Sequence, residues 1–524
     1  MSADSKLRYN RRNIFGCLRI KNRFLNKGVM FFIKLISLAV ALFGSPSATM
    51  ALTAGNYEPL KNQAIGSTSC LTFDKNKSSI TFASCNGGAE QNWKFAAAGG
   101  SYLFVHNESA ANQCLRTLSD GRTVKLGACS GDGYTSMRQW TIKNNDDGSM
   151  LLKNKYSKDL GRNEKLIANV ATSTISMSVA GTEKKARWDY KGEIPSPKRP
   201  LLGNKKVLLM ATHYNGTTPA DPELIRKAVF GDGDDYASLK HYLKLASRGR
   251  LTLDGTFLRN VNIGDRPTSC NSSTILENAR KAARAQGVEP NDYDFFFVDI
   301  SRSSDCKWEG LAQTPGNWIL SNGVGYKYWM WSHEFGHNMG LKHSDTLRSC
   351  LVKDGVVQLD QDCILGGGDD KTDTMGGGGG KLYPVNYQLF AAWLDDTDVP
   401  TIRDPGTYKL MPLWQSGGAQ GYRISRSDGS VLVLEYRQPR QGFENWPVDD
   451  PFVNGITVRV AKYLGNNLTN SLVDATPDSA QMMKDAPLMP GHSLYDALSG
   501  KLITVESTDS SGAVVKIENH VTRN

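Results

Sequence analysis

A threefold repeat in the first part of the chain constrains the fold more than any other feature of the sequence. Trp93, Trp140 and Trp188 stand 47 and 48 residues apart. In the first two units, a Cys-Leu pair precedes a second cysteine, fifteen residues after the first, and a glutamine lies just before the tryptophan. The third unit keeps its tryptophan but has neither cysteine. Because one such unit cannot bury its apolar face alone, the repeat predicts three β-rich units that close on one another.

Two short motifs identify a family that this region resembles. "QNW" at Gln91–Trp93 and "RQW" at Arg138–Trp140 resemble the Gln-x-Trp motif of the ricin B-type lectin family. The resemblance implies a β-trefoil over residues 52–192 and a glycan as the ligand of that module. The family usually binds sugar through an aspartate just after Cys-Leu, where this chain has Thr72 and Arg116. Two interpretations stay open: a sugar-binding module, or a module whose tryptophans serve only as core.

A cluster of histidines predicts a metal site in "HEFGHNMGLKH". On a helix, His333 and His337 project from one face, one turn apart, as two ligands of one ion require. Gly340 can end the helix in a left-handed conformation and bring His343 round as the third ligand. Three protein ligands leave one position for water, which is typical of a single catalytic Zn²⁺. Glu334 is then the expected general base, which activates the zinc-bound water to attack a peptide carbonyl.

The spacing HExxHxxGxxH also matches the extended motif of the metzincin proteases. "TDTMGGGGG" (Thr372–Gly380) supplies the methionine turn of that group, with Met375 as structural support for the histidines. Over about Lys205–Leu394 the chain resembles the gametolysin family, through "HEFGHNMGLKHSD", "DTMGG" and "PVNYQLFAAWL". The resemblance implies a secreted zinc endopeptidase that hydrolyses extracellular proteins, including matrix glycoproteins.

The remaining segments follow from composition and periodicity. Pro-rich, charged residues predict a linker at 193–204. Residues 205–398 show an α/β pattern and are predicted to form a metzincin-like catalytic domain. Short alternating runs over 399–524 predict an antiparallel β-sandwich. Elements predicted within the α/β segment include strands Lys205–Tyr214, Asp292–Ile300 and Gly316–Gly323, and helices Ile275–Gly287 and Tyr326–Leu341.

Residues 1–51 have the pattern of a secretory signal peptide. A basic stretch precedes the apolar run Leu35–Phe43, and small residues suit cleavage after Ala51. The alternative, a single membrane anchor, would need a longer run than the one after Lys34, since a span takes about 20 residues. The first 50 residues hold nine basic and one acidic residue, and the rest hold 53 and 51. We therefore expect secretion, no stable membrane span after cleavage, and no nucleic-acid partner.

Eight cysteines lie outside the leader. An even count in an exported chain predicts disulfides. The sequence does not determine connectivity, and nearest-neighbour pairing is our expectation. The candidates are Cys70, Cys85, Cys114, Cys129, Cys270, Cys306, Cys350 and Cys363.

Two acidic clusters raise the question of Ca²⁺ as a second ion. "GDGDD" (Gly231–Asp235) and "GGGDDKTD" (Gly366–Asp373) offer carboxylates, although neither has EF-hand spacing. Solvated acidic loops are the alternative. At the level of function, two rivals stay open beside the endopeptidase: a carbohydrate-binding adhesin or lectin with a vestigial protease domain, and a zinc hydrolase of a non-protein amide.

Overall fold

The protein is described by a computed structural model that covers residues 57–520, apart from 131–133, 146, 162–163, 180–182, 193, 219, 232–236 and 441. The predicted leader and nearly all of the acidic cluster Gly231–Asp235 lie outside the described residues. The described chain is multidomain and mostly β, with several separate sheets. Among the helices of this part of the chain, none is long and apolar enough to cross a membrane.

The N-terminal module consists of short strands joined in one hydrogen-bonded system, with a short helix α1 (Lys155–Asp159). Its strands are β1 (Glu58–Pro59), β2 (Lys61–Asn62), β3 (Ser69–Asp74), β4 (Ser79–Ser84), β5 (Asn92–Ala97), β6 (Leu103–Asn107), β7 (Ala110–Thr117), β8 (Val124–Ala128), β9 (Trp140–Asn144), β10 (Met150–Asn154), β11 (Lys165–Asn169), β12 (Thr174–Ser178) and β13 (Trp188–Asp189).

The three repeat tryptophans occupy equivalent places in one shared core. Each indole is fully buried, and each Nε1–H donates to a backbone carbonyl in the first strand of its own unit. The acceptors are the carbonyls of Leu71 for Trp93 at 2.8 Å, Leu115 for Trp140 at 2.8 Å, and Leu166 for Trp188 at 3.0 Å. Leu166 therefore marks the third unit's equivalent of Cys-Leu, although that unit has no cysteine. The three repeat units of the sequence thus form the same hydrogen bond at equivalent positions. Each bond is needed because a buried indole N–H requires an acceptor.

Four disulfides join nearest neighbours in the sequence. They are Cys70–Cys85, Cys114–Cys129, Cys270–Cys306 and Cys350–Cys363. The first two close the first strand pair of the first two repeat units, β3 with β4 and β7 with β8. Disulfides of this kind are typical of proteins from oxidising compartments, which suggests an extracellular or secreted protein.

The central sheet has five strands in the order β15-β14-β16-β18-β17. The first four are parallel, and β17 is an antiparallel edge strand. Its strands are β14 (Gly203–His213), β15 (Leu251–Asn262), β16 (Phe295–Ile300), β17 (Gly310–Ala312) and β18 (Trp318–Asn322). The helices beside them are α2 (Pro222–Phe230), α3 (Leu239–Ala246), α4 (Ser272–Ala285) and α5 (Tyr328–Met339). The predicted elements are present, each shifted or shortened by a few residues at an end.

Helices cover both faces of this sheet. On β14, Val207 and Leu209 belong to one core with α2, α3 and α5, whereas Leu208 and Met210 belong to another with α4. A parallel sheet buried on both faces gives a continuous apolar run, as "VLLMA" shows. The predicted linker is hydrogen-bonded to the central region. The backbone N–H groups of Arg199 and Leu201 donate to carbonyls at the end of α6 (Val385–Phe390).

The C-terminal part contains two six-stranded sheets that share one core. One sheet has the order β22-β19-β27-β26-β25-β24, and the other β20-β21-β28-β29-β30-β23. A short helix, α7 (Pro451–Asn454), precedes β26. The strands are β19 (Leu341–Arg348), β20 (Leu351–Lys353), β21 (Val356–Leu359), β22 (Ile364–Gly367), β23 (Gly406–Leu410), β24 (Gly421–Ser425), β25 (Val431–Tyr436), β26 (Ile456–Leu464), β27 (Asn467–Val473), β28 (Ser493–Asp496), β29 (Lys501–Asp509) and β30 (Gly512–Asn519).

These sheets differ from the predicted sandwich in two respects. Four of their strands, β19 to β22, come from residues 341–367, which the sequence placed in the catalytic segment. The sheets are mixed rather than antiparallel, because β19 pairs with β27, and β21 with β28, in parallel. The predicted boundary after residue 398 therefore does not separate the sheets. Sequence alternation could not reveal this, since it shows that a segment is a strand but not which strand lies beside it.

Candidate metal centre

Helix α5 and the turn after it bring together the three histidines of the sequence motif. The ring centroids of His333, His337 and His343 are 4.9–5.2 Å apart. One ring nitrogen from each lies within 4.8 Å of those of the other two. The Nε2 atoms of His337 and His343 are 3.2 Å apart. Two nitrogens bound at about 2.0–2.1 Å to one tetrahedral ion stand roughly 3.3 Å apart, so this pair has the spacing that zinc requires.

Backbone carbonyls determine which ring nitrogen faces the centre. Nδ1 of His333 donates to the carbonyl of Thr374 at 2.8 Å, and Nδ1 of His337 donates to the carbonyl of Leu341 at 2.8 Å. A carbonyl only accepts, so both Nδ1 atoms carry the proton and both Nε2 atoms keep a free lone pair. Burial lowers the pKa of His333, and it lowers that of His337 to about 4. Burial therefore favours the neutral form of both rings, which is the form that ligates a metal.

Gly340 ends α5, and two separate features of its position require glycine. Its φ of +100° lies in the left-handed region that side chains disfavour. A Cβ at this position would also lie 2.3 Å from the carbonyl oxygen of Asn466, in the hairpin between β26 and β27. The chain then enters β19, where the pairing with β27 shifts register between Leu341 and Ser344. Such a bulge changes the direction of a side chain, and His343 lies within it.

Glu334 is buried beside the histidines, with 6% of its surface exposed. Burial raises the pKa of Glu334 to about 8. Edge strand β17 passes next to this carboxylate, because a Cβ on Gly310 would lie 2.4 Å from its Oε1. Sequence reasoning missed Gly310, since nothing in its local pattern marks it. The Glu334 carboxyl, one residue after His333, thus lies against the edge strand of the central sheet.

Met375 packs under α5, with 2% of its surface exposed. A Cβ on Gly336 would lie 2.3 Å from its sulfur, so the glycine in the motif leaves room for the methionine. The backbone N–H of Met375 donates to Oδ1 of Asp373 at 2.8 Å, and its carbonyl accepts from the N–H of Ser344 at 3.0 Å. The turn is therefore bonded to both the residue after the third histidine and the acidic segment before it.

The acidic cluster Gly366–Asp373 has a different role from the calcium binding considered above. Asp370 and Asp373 are fully buried. Asp370 forms an ion pair with Arg459 from β26, and Arg459 also donates to Thr372. Oδ2 of Asp373 accepts from the side-chain amide of Asn470 at 3.3 Å. Protein groups thus occupy these carboxylates, and they attach the methionine turn to the C-terminal sheet.

A second group of possible ligands lies in the N-terminal module, where His106 approaches Cys114 and Cys129. These two sulfurs are bonded to each other, so they are not thiolates that could hold an ion. At the position of the family's sugar-binding aspartate, Oγ1 of Thr72 accepts from the buried Gln91 at 3.1 Å. That hydroxyl is thereby engaged within the module.

Comparison with known proteins adds three similarities to solved structures, all in a quarter of the chain. A mosquitocidal holotoxin shows 16% identity and a TM-score of 0.23, over 26% of this chain and 17% of that one. The designed threefold-symmetric protein ThreeFoil shows 19% identity and a TM-score of 0.21, over 25% of this chain and 95% of that one. A GlcNAcα1-4Gal-releasing endo-β-galactosidase from Clostridium perfringens shows 14% identity and a TM-score of 0.22, over 26% of this chain and 31% of that one. The chain spans less than a third of the holotoxin and of the galactosidase. No curated protein matches it significantly.

One family model matches the part of the chain that holds the histidines. It is described as gametolysin peptidase M11, and it matches residues 206–349. This stretch begins in β14 and includes all of α5, Gly340 and His343, but ends before Met375. The match supports the gametolysin family, and with it a peptidase function, for this part of the chain.

Proposed function

We propose that the protein is a secreted zinc endopeptidase that hydrolyses peptide bonds of extracellular proteins, with glycoproteins as the expected substrates. The observation that carries the proposal is the histidine cluster itself. Three imidazoles bring one ring nitrogen each within 4.8 Å of the other two, and backbone carbonyls orient the rings of His333 and His337. Imidazole nitrogen is a preferred donor for zinc, and three ligands leave a fourth position open. The donor set therefore fits a catalytic zinc ion held by His333, His337 and His343.

Zinc bound there would supply Lewis acidity, polarising the scissile carbonyl and lowering the pKa of a water molecule. Glu334 would accept the proton of the attacking water and then pass it to the leaving amine. Its burial between α5 and β17 keeps bulk water from competing for that proton. Met375 contacts the helix at Gly336 and supports the ligands without binding the metal.

Strand β17 gives a physical reason for a peptide substrate. It is the edge of the central sheet, paired on one side with β18, and it runs beside Glu334. An extended peptide can bond to such an edge through its backbone, which would place a peptide bond beside the carboxylate. This favours a peptidase over the hydrolase of a non-protein amide.

The N-terminal residues 52–192 are proposed to form a β-trefoil that holds the enzyme near glycosylated substrates, which raises their local concentration. The threefold set of Trp bonds supports the trefoil. Because Thr72 is engaged with Gln91, sugar binding at the usual position is the weaker part of the proposal. The rival function, an adhesin with a vestigial protease domain, would predict loss of a ligand or of the base, and all four residues are present.

Casein hydrolysis tests the proposal, with the exported chain beside Glu334→Ala and His337→Ala variants and the zinc content of each. We expect one zinc and activity in the wild type, zinc without activity in Glu334→Ala, and neither in His337→Ala. Chelation should abolish the activity and zinc should restore it. A wild-type chain that binds no zinc would overturn the proposal. Zinc binding without hydrolysis of casein, gelatin or any glycoprotein would favour the adhesin.

A further inference from the structure

A cleft of about 1100 Å³ separates the N-terminal module from the C-terminal sheets, away from the metal centre. The module contributes β9, β10 and α1 to one wall. The opposite wall consists of the turn from β24 to β25, the turn from β28 to β29, and residues Thr401–Arg403. None of His333, Glu334, His337 and His343 lines it. The cleft is therefore a separate candidate binding site.

The cleft has an excess of unpaired positive charge on both walls. Lys143 and Lys158 are exposed on the module side, and neither has an ion-pair partner among the described residues. On the other side, Arg403 donates only to the carbonyls of Lys191 and Gly192. Lys501 likewise donates only to a carbonyl and an amide oxygen. Cations without an ion-pair partner on both walls of a cleft attract an anionic ligand.

The carboxylates in the lining are already engaged by protein groups. Asp159 pairs with Lys155, and Asp428 accepts a hydrogen bond from Ser430 and approaches Lys462 at 3.7 Å. They do not neutralise the cations described above. The four cations are therefore available to an anionic ligand from outside the chain.

The uncharged lining suits sugar rings. Amides and hydroxyls that can bond to sugar hydroxyls line both walls, together with two tyrosine side chains. These residues are Asn144, Asn145, Ser425, Ser427, Tyr102 and Tyr190. Polar groups with aromatic rings are the combination that sugar sites need, since a sugar has polar edges and apolar faces.

Two other classes of anionic ligand, acidic peptides and nucleic acids, fit the cleft less well. A peptide would need a free strand edge, but at the cleft the backbone of Arg423 in β24 is already bonded to Pro400 and Ile402. A nucleic acid calls for a broad basic surface, whereas the chain beyond residue 50 has 53 basic and 51 acidic residues. The positive charge is local to the cleft.

We propose that this cleft binds an acidic polysaccharide, carrying sulfate or carboxylate groups, between the N-terminal module and the C-terminal sheets. Lys143 and Lys158 bind the anionic groups from one wall, and Arg403 and Lys501 from the other. The site differs from the sugar positions beside Thr72 and Arg116, and its ligand is charged. The proposal does not rest on the peptidase function, because it concerns binding at residues that do not line the metal centre.

Calorimetry at low ionic strength tests the proposal on the full exported chain. The probes are a heparin-derived oligosaccharide for sulfate, an oligogalacturonate for carboxylate, and a maltooligosaccharide as the neutral sugar. Single-stranded DNA and polyglutamate of matched charge represent the other polyanions. At least one acidic oligosaccharide should bind, more tightly than the neutral sugar, the DNA and the polyglutamate. The stronger of the two acidic probes identifies the anionic group.

The double variant Lys143→Glu/Lys158→Glu should weaken that binding by about tenfold or more, because two attractions become repulsions. Lys125→Glu/Lys184→Glu makes the same charge change at exposed module residues outside the cleft lining and should leave affinity within about twofold. Unchanged far-UV circular dichroism and an unchanged thermal unfolding temperature would show that both variants fold. Equal losses in both pairs, no binding of either acidic sugar, or binding of DNA or polyglutamate as tight as that of the sugar would each overturn the proposal.

Discussion

Arg459 and Asp370 form a fully buried ion pair that connects the C-terminal sheet to the methionine turn below the metal centre. The two residues are 89 positions apart in the chain. From Asp370 the connection continues to the residue after the third ligand, because Oγ of Ser344 donates to its Oδ2 at 3.3 Å. The C-terminal region is thus part of the scaffold that supports the three histidines.

The first prediction concerns this ion pair. Arg459→Met leaves the Asp370 carboxylate buried and unpaired, which should lower the free energy of unfolding by about 3–5 kcal/mol. Zinc affinity, measured by competition with a chromophoric chelator, should fall by about tenfold as the turn loses its attachment. Arg426→Met is the matched control, since Arg426 forms a buried pair with Asp496 and lines the cleft, which contains none of the three histidines. It should lose similar stability but keep zinc affinity. Equal zinc affinity in the two variants would contradict the positioning role.

A second prediction concerns the closeness of the edge strand to the base. Gly310→Ala would place a methyl group 2.4 Å from Oε1 of Glu334, so the carboxylate must move. A displacement of about 1 Å at a reacting group can lower a rate by about 100-fold. We expect kcat to fall by that order with zinc content unchanged. Gly367→Ala is the control, because nothing lies within 4 Å of its added methyl. Full activity in Gly310→Ala would argue against Glu334 as the base.

Gly336 and Met375 should show coupled effects. Alanine in place of glycine inside a helix usually stabilises it by roughly 1 kcal/mol, but here the methyl would lie 2.3 Å from the methionine sulfur. Gly336→Ala should therefore destabilise the protein and weaken zinc binding. Met375→Ala, combined with it, removes the collision. The double variant should be more stable than the sum of the single effects predicts, as urea unfolding would show. Additive effects would mean that the two residues do not contact each other.

Asp299 gives a prediction for pH. Burial raises the pKa of Asp299 from 3.8 to about 7. Between these values the folded protein binds more protons at this residue than the unfolded chain, so its contribution to stability falls as pH rises. The slope is about 1.4 kcal/mol per pH unit at most, and the loss is complete above pH 7. Asp299→Asn keeps an oxygen that can accept from the N–H of Gly325 but does not titrate.

The test compares urea unfolding of wild type and Asp299→Asn across this range. Groups other than Asp299 affect both proteins equally, so the difference between the two curves isolates this carboxyl. The variant should gain stability relative to wild type from pH 4 to pH 7 and no further above it. A difference that stays constant with pH would show that Asp299 titrates normally in the folded protein.

The sequence predicts the residues of the candidate metal centre, but not the distant residues that hold them in place. Spacing alone placed His333 and His337 on one helix and ended that helix at Gly340, because helical periodicity and left-handed glycine are local properties. Arg459, Asn470 and Gly310 could not be found in this way. Each acts on residues distant in the chain, and each has an ordinary local pattern. The strand partners of β19 were missed for the same reason.

The position of β19 also has a consequence for the order in which the protein matures. The strand that carries His343 lies beside β27, which ends at Val473. A nascent chain has all three histidines long before that partner is synthesised. His343 therefore receives its strand partner only after all the residues between it and Asn467 have been synthesised. A chain truncated before β27 would be expected to lack peptidase activity, although it would contain every residue that the motif names.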